Sequence, residues 1–279
     1  MTLVFSSICP HPPLLIPTIG GPELEKISST VKALEKLNKE FVQAKPETVV
    51  VISPHAPTLP QAFGIAKPKV LSGNFGQFGD FGTELSFKTD QELIRDILDD
   101  AKKEKMPVEA LDYPDLDHGT LVPLYYITKK APKLKLVVIS FTQLDLKTHF
   151  QFGQMLHKTI KHADERIAVV ASGDLSHRLT FDAPAGYSPR GKEFDEKLID
   201  LLKKKDVKGI LNLDPKLIEE AGECGLRSII VLLGILDKID YKNLAFGKNL
   251  DSRFARIKPE ILSYEGPFGV GYLVANFEF

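Results

Sequence analysis

Four short apolar runs along the chain have the length and the β-branched content of buried strands. Apolar runs of this kind are typical of strands that are covered on both faces, as they are in a parallel sheet. Turn-forming residues, proline among them, follow several of these runs and mark where the strands end. The predicted strands are Leu3–Ile8, Thr48–Ile52, Leu136–Ser140 and Ile167–Ala171.

Between these runs, apolar residues recur three or four positions apart, which is the spacing of one face of an amphipathic helix. The longest such segment, Pro22–Ala44, carries Leu24, Ile27 and Val31 at this spacing. Further helices are predicted at Asp90–Lys105, Gly119–Lys130, Leu146–His162, Lys192–Lys204 and Leu226–Leu236.

Strands that alternate with helices predict an α/β fold with a mostly parallel central sheet and helices on both faces. No internal repeat or linker divides the 279 residues, so we predict a single domain over 1–279. The stretch Ser72–Gly82 is the exception to this pattern, because it holds four glycines and three phenylalanines in eleven residues. It is predicted to be a mobile loop that makes aromatic contacts.

Composition narrows the functional classes. The chain has 36 Lys+Arg against 37 Asp+Glu, a formal net charge of −1, which argues against a nucleic-acid-binding domain. Two cysteines exclude a disulfide framework. The N-terminus lacks the charged region of a signal peptide, and the best apolar stretch, Ser228–Leu236, is too short to span a membrane. These features predict a soluble cytoplasmic protein.

Three of the seven histidines lie just past a predicted strand. His11, His55 and His177 therefore meet at one edge of a parallel sheet, where ligands of α/β proteins bind. A fourth, His118, lies at a predicted helix start. The prolines beside His11 and His55 stiffen their loops, which favours a preorganised metal site; the alternative is loop histidines that bond to backbone. His149, His157 and His162 are interpreted as surface or packing residues.

A metal site needs a ligand besides two histidines, and Cys224 is the best local candidate. It lies in the turn Ala221–Gly225, before the apolar helix, where the helix dipole is expected to lower the pKa of its thiol. The alternative is a cysteine that packs as a small apolar side chain. A second acid between glycine-rich turns, Glu265, is interpreted as part of a turn before the last strand.

Several strings, taken together and in this order, resemble the LigB-type superfamily of class III extradiol ring-cleavage dioxygenases. The closest resemblance is to the MEMO-like proteins of the AmmeMemoRadiSam system, and it covers nearly the whole chain. The strings are Pro-His-Pro-Pro from 10, Ser-Pro-His from 53, Leu-Asp-His-Gly-Thr from 116, Ser-Gly-Asp-Leu-Ser-His from 172, Glu-Cys-Gly-Leu-Arg-Ser from 223 and Gly-Pro-Phe-Gly-Val-Gly-Tyr from 266.

The resemblance implies a role for each of these residues. His11 and His55 match the two histidine ligands, and His177 matches the histidine that acts as acid and base in the dioxygenases. His118 matches a second active-site histidine. Cys224 stands where ring-cleaving members have a glutamate ligand, as it does in MEMO-like relatives; a shift of one residue in the matching would place Glu223 there instead.

Two functions follow from the resemblance. The first is an Fe(II)-dependent extradiol-type dioxygenase that acts on a catecholic or other aromatic diol with O2. The second is a MEMO-like metal-binding protein that holds Fe, Zn or Cu without ring cleavage and acts with radical-SAM system partner proteins. The resemblance also implies a homo-oligomer or a chain that works with a small partner subunit. Arg178 and Arg227 adjoin proposed site residues, and each is either a donor to a substrate carboxylate or a surface arginine.

Overall fold

A computed structural model describes residues 2–129, 133–237 and 258–278 of the chain. Its strands are β1 (Leu3–Cys9), β2 (Thr48–Ser53), β3 (Phe63–Ala66), β4 (Val70–Phe75), β5 (Asp80–Lys88), β6 (Val108–Leu111), β7 (Lys135–Ser140), β8 (Ile167–Ser172), β9 (Lys258–Glu265) and β10 (Tyr272–Glu278). Its α-helices are α1 (Pro17–Gly20), α2 (Ser28–Ala44), α3 (Gln91–Glu104), α4 (His118–Ile127), α5 (Leu146–His162), α6 (Pro189–Lys204), α7 (Val207–Leu211), α8 (Pro215–Ala221) and α9 (Leu226–Asp237).

Eight of the strands form one sheet in the order β6-β3-β7-β2-β8-β1-β10-β9. Its four central strands, β7, β2, β8 and β1, are parallel to one another. Antiparallel pairs flank this centre, where β3 meets β7 on one side and β10 meets β1 and β9 on the other. The prediction of an α/β fold with a mostly parallel sheet is confirmed. Each antiparallel pair in this sheet includes β3 or β10, which lie outside the four predicted apolar runs.

Side chains of the central strands alternate between two apolar cores, one on each face of the sheet. In β2, Val49 and Val51 enter one core, whereas Val50 and Ile52 enter the other. The first core is closed by α2 and α4, and the second by α3, α5, α6 and α9. Helices therefore cover both faces, as predicted, and the continuous apolar runs of the strands follow from this double burial.

The structure corrects two sequence predictions. Pro22–Ala44 is not one α-helix, since Gly21–Ile27 forms a 3-10 helix and α2 begins at Ser28. Ser72–Gly82 is not a loop, because these residues belong to the antiparallel hairpin β4–β5. Buried Phe75 anchors the hairpin, and Gly79, with φ +90°, supplies its left-handed turn.

The other predicted helices correspond to α3, α4, α5, α6 and α9 with small shifts at their ends, and Lys130, the predicted end of one, lies outside the described residues. Among the described residues, no helix is long and apolar enough to cross a membrane. The strands β1, β2, β7 and β8 run in the same direction, so their carboxyl ends share one edge of the sheet.

Candidate metal centre

Three histidines converge at the carboxyl edge of the parallel strands. The two Nε2 atoms of His11, after β1, and His55, after β2, are 3.1 Å apart. His118, the first residue of α4, places its ring centroid 4.2 Å from that of His55 and 5.5 Å from that of His11. One nitrogen from each of the three histidines lies within 4.8 Å of the other two.

A hydrogen-bond chain through Ser172 fixes the protonation of the His11 ring. The Ser172 hydroxyl, at the end of β8, donates its proton to the carbonyl of Gly119. It therefore accepts from Nδ1 of His11, at 2.9 Å. A neutral imidazole carries one proton, so the lone pair of His11 is on Nε2, the atom that faces His55.

Asp174 is a candidate ligand that the sequence analysis did not single out. Its Oδ1 accepts from the backbone N–H of His11 at 2.9 Å, and its Oδ2 lies 3.7 Å from Nε2 of the same residue. Burial raises the pKa of the Asp174 carboxyl to about 7, although the bond from His11 opposes this. The available signal was the acid in Ser-Gly-Asp, directly after a strand that ends at the same edge.

Cys224 lies beside His11, with its Sγ 3.6 Å from Nε2. The thiol also accepts from the backbone N–H of Asp174 at 3.3 Å. Two glycines permit this approach, because a Cβ on Gly173 would lie 2.1 Å from the Cα of Gly225. His11, Asp174 and Cys224 thus form a second group of ligand atoms within 4.8 Å of one another.

The predicted lowering of the Cys224 pKa is wrong. Burial raises the pKa of this thiol well above its ordinary value, and the negative charges of Asp174 and Glu223 raise it further. The N-terminus of α9 does little to lower the pKa of Cys224, because Glu223 caps that helix. Its Oε2 accepts from the backbone N–H of Leu226 at 2.6 Å. Burial raises the pKa of Glu223 to about 6.

His177 follows β8 on the same side of the site. Its backbone N–H donates to the carbonyl of Ala221 at 3.2 Å, which ties its loop to the end of α8. Burial lowers the pKa of His177, and burial likewise lowers the pKa of His118 to about 4. The pKa of His11 is lowered well below its ordinary value by burial and then by the other three histidines. Burial also lowers the pKa of His55, so all four rings are neutral near pH 7.

Three further interpretations can be compared with the structure. His149 is buried, with Nδ1 2.8 Å from the carbonyl of Asp145 and Nε2 accepting from Thr142, so it is a packing residue as expected. Glu265 accepts two bonds from Thr30, at 2.7 and 2.6 Å, and so anchors α2. The hairpin reaches the site through Phe78, whose ring centroid is 5.4 Å from that of His118.

Residues 6–275 match the family model described as the catalytic LigB subunit of aromatic ring-opening dioxygenase. The chain belongs to the LigB family. One relative, protein CA_C1420 of Clostridium acetobutylicum, is 36% identical over 281 residues, which cover 97% of this chain and 56% of that protein. The chain thus spans about half of that relative's length.

A second relative is the 3,4-dihydroxyphenylacetate 2,3-dioxygenase of Escherichia coli. It is 31% identical over 170 residues, which cover 56% of this chain and 61% of that enzyme. Among solved structures, the uncharacterized protein JW3007 from Escherichia coli K12 matches with a TM-score of 0.62 at 17% identity. That match covers 87% of this chain and 91% of the other, and it shows that the two chains share a fold.

Proposed function

We propose that this LigB-family chain is a non-haem Fe(II) extradiol-type dioxygenase-like protein that acts on a catecholic or other aromatic diol with O2. The observation that carries this proposal is the convergence of His11, His55 and their acidic neighbours at one edge of the sheet. The name of the Escherichia coli relative, 3,4-dihydroxyphenylacetate 2,3-dioxygenase, supports the same class of substrate.

The donor set fits a divalent transition metal. Two nitrogen ligands about 2.1 Å from one ion, roughly at a right angle, are about 3 Å apart, and the two Nε2 atoms of His11 and His55 are 3.1 Å apart. Two histidines with a carboxylate or a thiolate suit Fe(II), and Zn and Cu accept the same donors. Bound Fe(II) would supply the redox chemistry that couples an aromatic diol to O2.

Cys224 is the third ligand in this proposal. Its Sγ is 3.6 Å from Nε2 of His11, whereas the carboxylate of Glu223 is bonded to the amide of Leu226. Asp174 is the competing carboxylate, because its Oδ2 is 3.7 Å from the same nitrogen. Metal binding would require the thiol to ionise, and the charge of an ion beside it lowers the pKa of a coordinated cysteine.

His177 and His118 are the proposed catalytic residues. Their pKa values are lowered by burial, so both are neutral near pH 7 and able to accept a proton. In the proposed reaction His177 takes a proton from a substrate hydroxyl and returns one later, as a general base and then a general acid. His118 lies between His55 and Phe78 and is proposed to contact the substrate.

The test is to load the protein with Fe(II) under anaerobic conditions and then add O2 with a panel of catechols, 3,4-dihydroxyphenylacetate included. The proposal expects O2 consumption and a ring-opened chromophore with at least one catechol, and their loss in His177→Ala. Exposed His162→Ala is the control and should keep wild-type rates. Metal-loaded protein that consumes no O2 with any catechol would overturn ring cleavage.

The alternative function is a MEMO-like metal-binding protein that does not cleave rings and that acts with radical-SAM system partner proteins. A specific observation favours it: a thiol, not a free carboxylate of Glu223, adjoins His11. Metal retention in Cys224→Ala, Asp174→Asn and Glu223→Ala separates the ligand sets. Loss in Glu223→Ala alone would contradict a thiolate ligand, and loss in Asp174→Asn alone would assign the carboxylate.

A further inference from the structure

A buried carboxylate joins the end of strand β2 to the start of helix α4. Asp117 is the N-cap of α4, and its Oδ1 accepts from the backbone N–H of Thr120 at 3.0 Å. The same oxygen accepts from the hydroxyl of Ser53, the last residue of β2, at 2.6 Å. Oδ2 accepts from the Thr120 hydroxyl at 2.9 Å. Ser53 and Asp117 are 64 residues apart in the sequence, so the bond between them is a tertiary contact.

Each of the two residues that this bond joins lies beside a histidine of the candidate metal centre. Ser53 precedes His55 by two residues, and its hydroxyl accepts from the backbone N–H of His55 at 3.2 Å. Asp117 directly precedes His118. The ring centroids of the two histidines are 4.2 Å apart. The bond between Ser53 and Asp117 therefore restrains the backbone of His55 relative to that of His118.

Gly119 shows how closely the two elements approach at this bond. A Cβ on Gly119 would lie 2.6 Å from Oγ of Ser53 and 2.8 Å from Oδ1 of Asp117. It would also lie 3.2 Å from Cδ2 of the His55 ring. The end of β2 and the first turn of α4 are therefore in direct contact, and little space is left for one to shift against the other.

The same turn of α4 also supports His11. The carbonyl of Gly119 accepts from the Ser172 hydroxyl, which lies 2.9 Å from Nδ1 of His11. Groups that hold His11 and His55 thus meet the helical turn that begins with His118. The position of this turn sets where the three histidines lie relative to one another, and Asp117 holds the turn against β2.

A comparison with α5 shows that capping a helix does not require this arrangement. Asp145 caps α5 with the same Asp-x-x-Thr spacing, and its Oδ1 accepts from the backbone N–H of Thr148 at 2.7 Å. Asp145 is exposed, whereas Asp117 is buried. The burial of Asp117 and its bond to Ser53 are therefore additional to the cap.

We propose that Asp117 is a positioning residue of the metal centre, which through Ser53 holds His55 in register with His118 and so preorganises the site. This inference rests on the proposed function, since the ligand role of His55 and the catalytic role of His118 come from it. Supporting hydrogen bonds that fix the position of a ligand raise the affinity of its site for the metal. The hydrogen bond, and not the charge of the carboxylate, performs this role.

The test measures Fe(II) affinity under anaerobic conditions, against a competing chelator, in variants that separate the bond to Ser53 from the helix cap. Asp117→Ser keeps a side-chain oxygen that can cap α4, but its shorter side chain gives up the bond to Ser53. Ser53→Ala removes the same bond and leaves the cap in place. Each variant is expected to weaken Fe(II) affinity by about tenfold or more. The double variant should be about as weak as either single variant, because both remove one shared interaction.

Two further variants serve as comparisons. Asp117→Asn keeps an oxygen that can accept from Ser53 and Thr120, so it should stay within about threefold of the wild-type affinity. Asp145→Ser is the matched control, because it makes the same replacement at the cap of α5. It should keep the wild-type affinity. If Asp117→Ser does not fold, Ser53→Ala decides the result.

The outcomes separate this inference from the proposed function. Wild-type affinity in Ser53→Ala, or equal losses in Asp117→Ser and Asp145→Ser, would overturn the positioning role and leave the metal centre standing. A loss in Asp117→Asn as large as that in Asp117→Ser would also overturn it, because the charge and not the hydrogen bond would then support the site. Losses that add up in the double variant would do the same. Failure of wild type to bind Fe(II) would overturn the proposed function and this inference with it.

Discussion

The most informative residue at the candidate metal centre is Ser172, which binds no ion itself. Its hydroxyl bonds to the Gly119 carbonyl and to Nδ1 of His11, and this pair of bonds keeps the Nε2 lone pair of His11 directed at the site. Groups that orient a metal-binding histidine in this way fix its tautomer and raise its basicity. The sequence showed a serine at a strand end, but its partners are 53 and 161 residues away, so only the folded chain reveals this role.

Ser172→Ala is expected to weaken Fe(II) affinity by about 10- to 100-fold while the protein stays folded, because the His11 ring loses its acceptor. The measurement is an anaerobic metal titration against a competing chelator. Ser6→Ala is the matched control, since Ser6 is a buried serine on the adjacent strand β1 and its hydroxyl has no partner in the described structure. Equal affinity in the two variants would contradict the role given to Ser172.

Asp195 is a second residue whose burial has a measurable consequence. Its two oxygens accept from the backbone N–H of Ser176 and the hydroxyl of Tyr264, at 2.8 and 2.7 Å. Burial raises the pKa of its carboxyl to about 7 in the folded protein, compared with about 3.9 for an unperturbed aspartate. At a pH between these two pKa values, Asp195 keeps a proton in the folded state that it has lost in the unfolded state. Its contribution to the free energy of unfolding therefore falls as pH rises.

Asp195→Asn is therefore expected to lessen the loss of stability between pH 5 and pH 7.5, by on the order of 1 to 2 kcal/mol relative to wild type. Asparagine is a suitable replacement because its Oδ1 can still accept the hydrogen bond from the backbone N–H of Ser176. The check is urea unfolding of both proteins at the two pH values. An identical pH dependence for the variant and wild type would show that Asp195 ionises normally in the folded state.

At the scale of elements, α5 and α9 cross at a pair of glycines. A Cβ on Gly153 would lie 2.1 Å from the carbonyl oxygen of Val231, and one on Gly234 would lie 2.2 Å from that of Phe150. Both obstacles are backbone atoms, which a rotamer change does not move. The two helices were predicted from their apolar spacing. Their contact joins residues far apart in sequence, so no local sequence pattern predicts that contact.

Gly153→Ala is expected to destabilise the protein by about 1 to 3 kcal/mol, the range for overpacked interiors. The effect opposes the gain of up to about 1 kcal/mol that alanine brings to a helix. Gly82→Ala is the control, because the atom nearest to its added Cβ is 3.6 Å away. Chemical denaturation measures both, and a Gly153→Ala variant as stable as Gly82→Ala would show that the helices separate without cost.

At the scale of the whole molecule, the hydrophobic pattern of the sequence predicted most of the fold. Strands buried on both faces are continuous apolar runs, so β1, β2, β7 and β8 were all predicted within a residue of their ends. The short or glycine-rich strands, β3 to β6, were missed because their burial alternates or their pairing depends on a hairpin turn. His11, His55 and His177 were predicted to converge because parallel strands deliver their ends to one edge, and His118 and Cys224 were candidates at predicted helix starts, whereas Asp174 and Ser172 required the tertiary contacts.

The metal centre itself is tested most directly at His55. This histidine is exposed at the edge of the sheet, so its replacement removes a proposed ligand without disturbing the core. Fe(II) affinity is measured under anaerobic conditions for wild type, His55→Ala and the exposed control His162→Ala. We expect wild type and His162→Ala to bind Fe(II) with the same affinity and His55→Ala to bind at least about tenfold more weakly. Unchanged Fe(II) binding in His55→Ala would contradict a metal centre between His11 and His55.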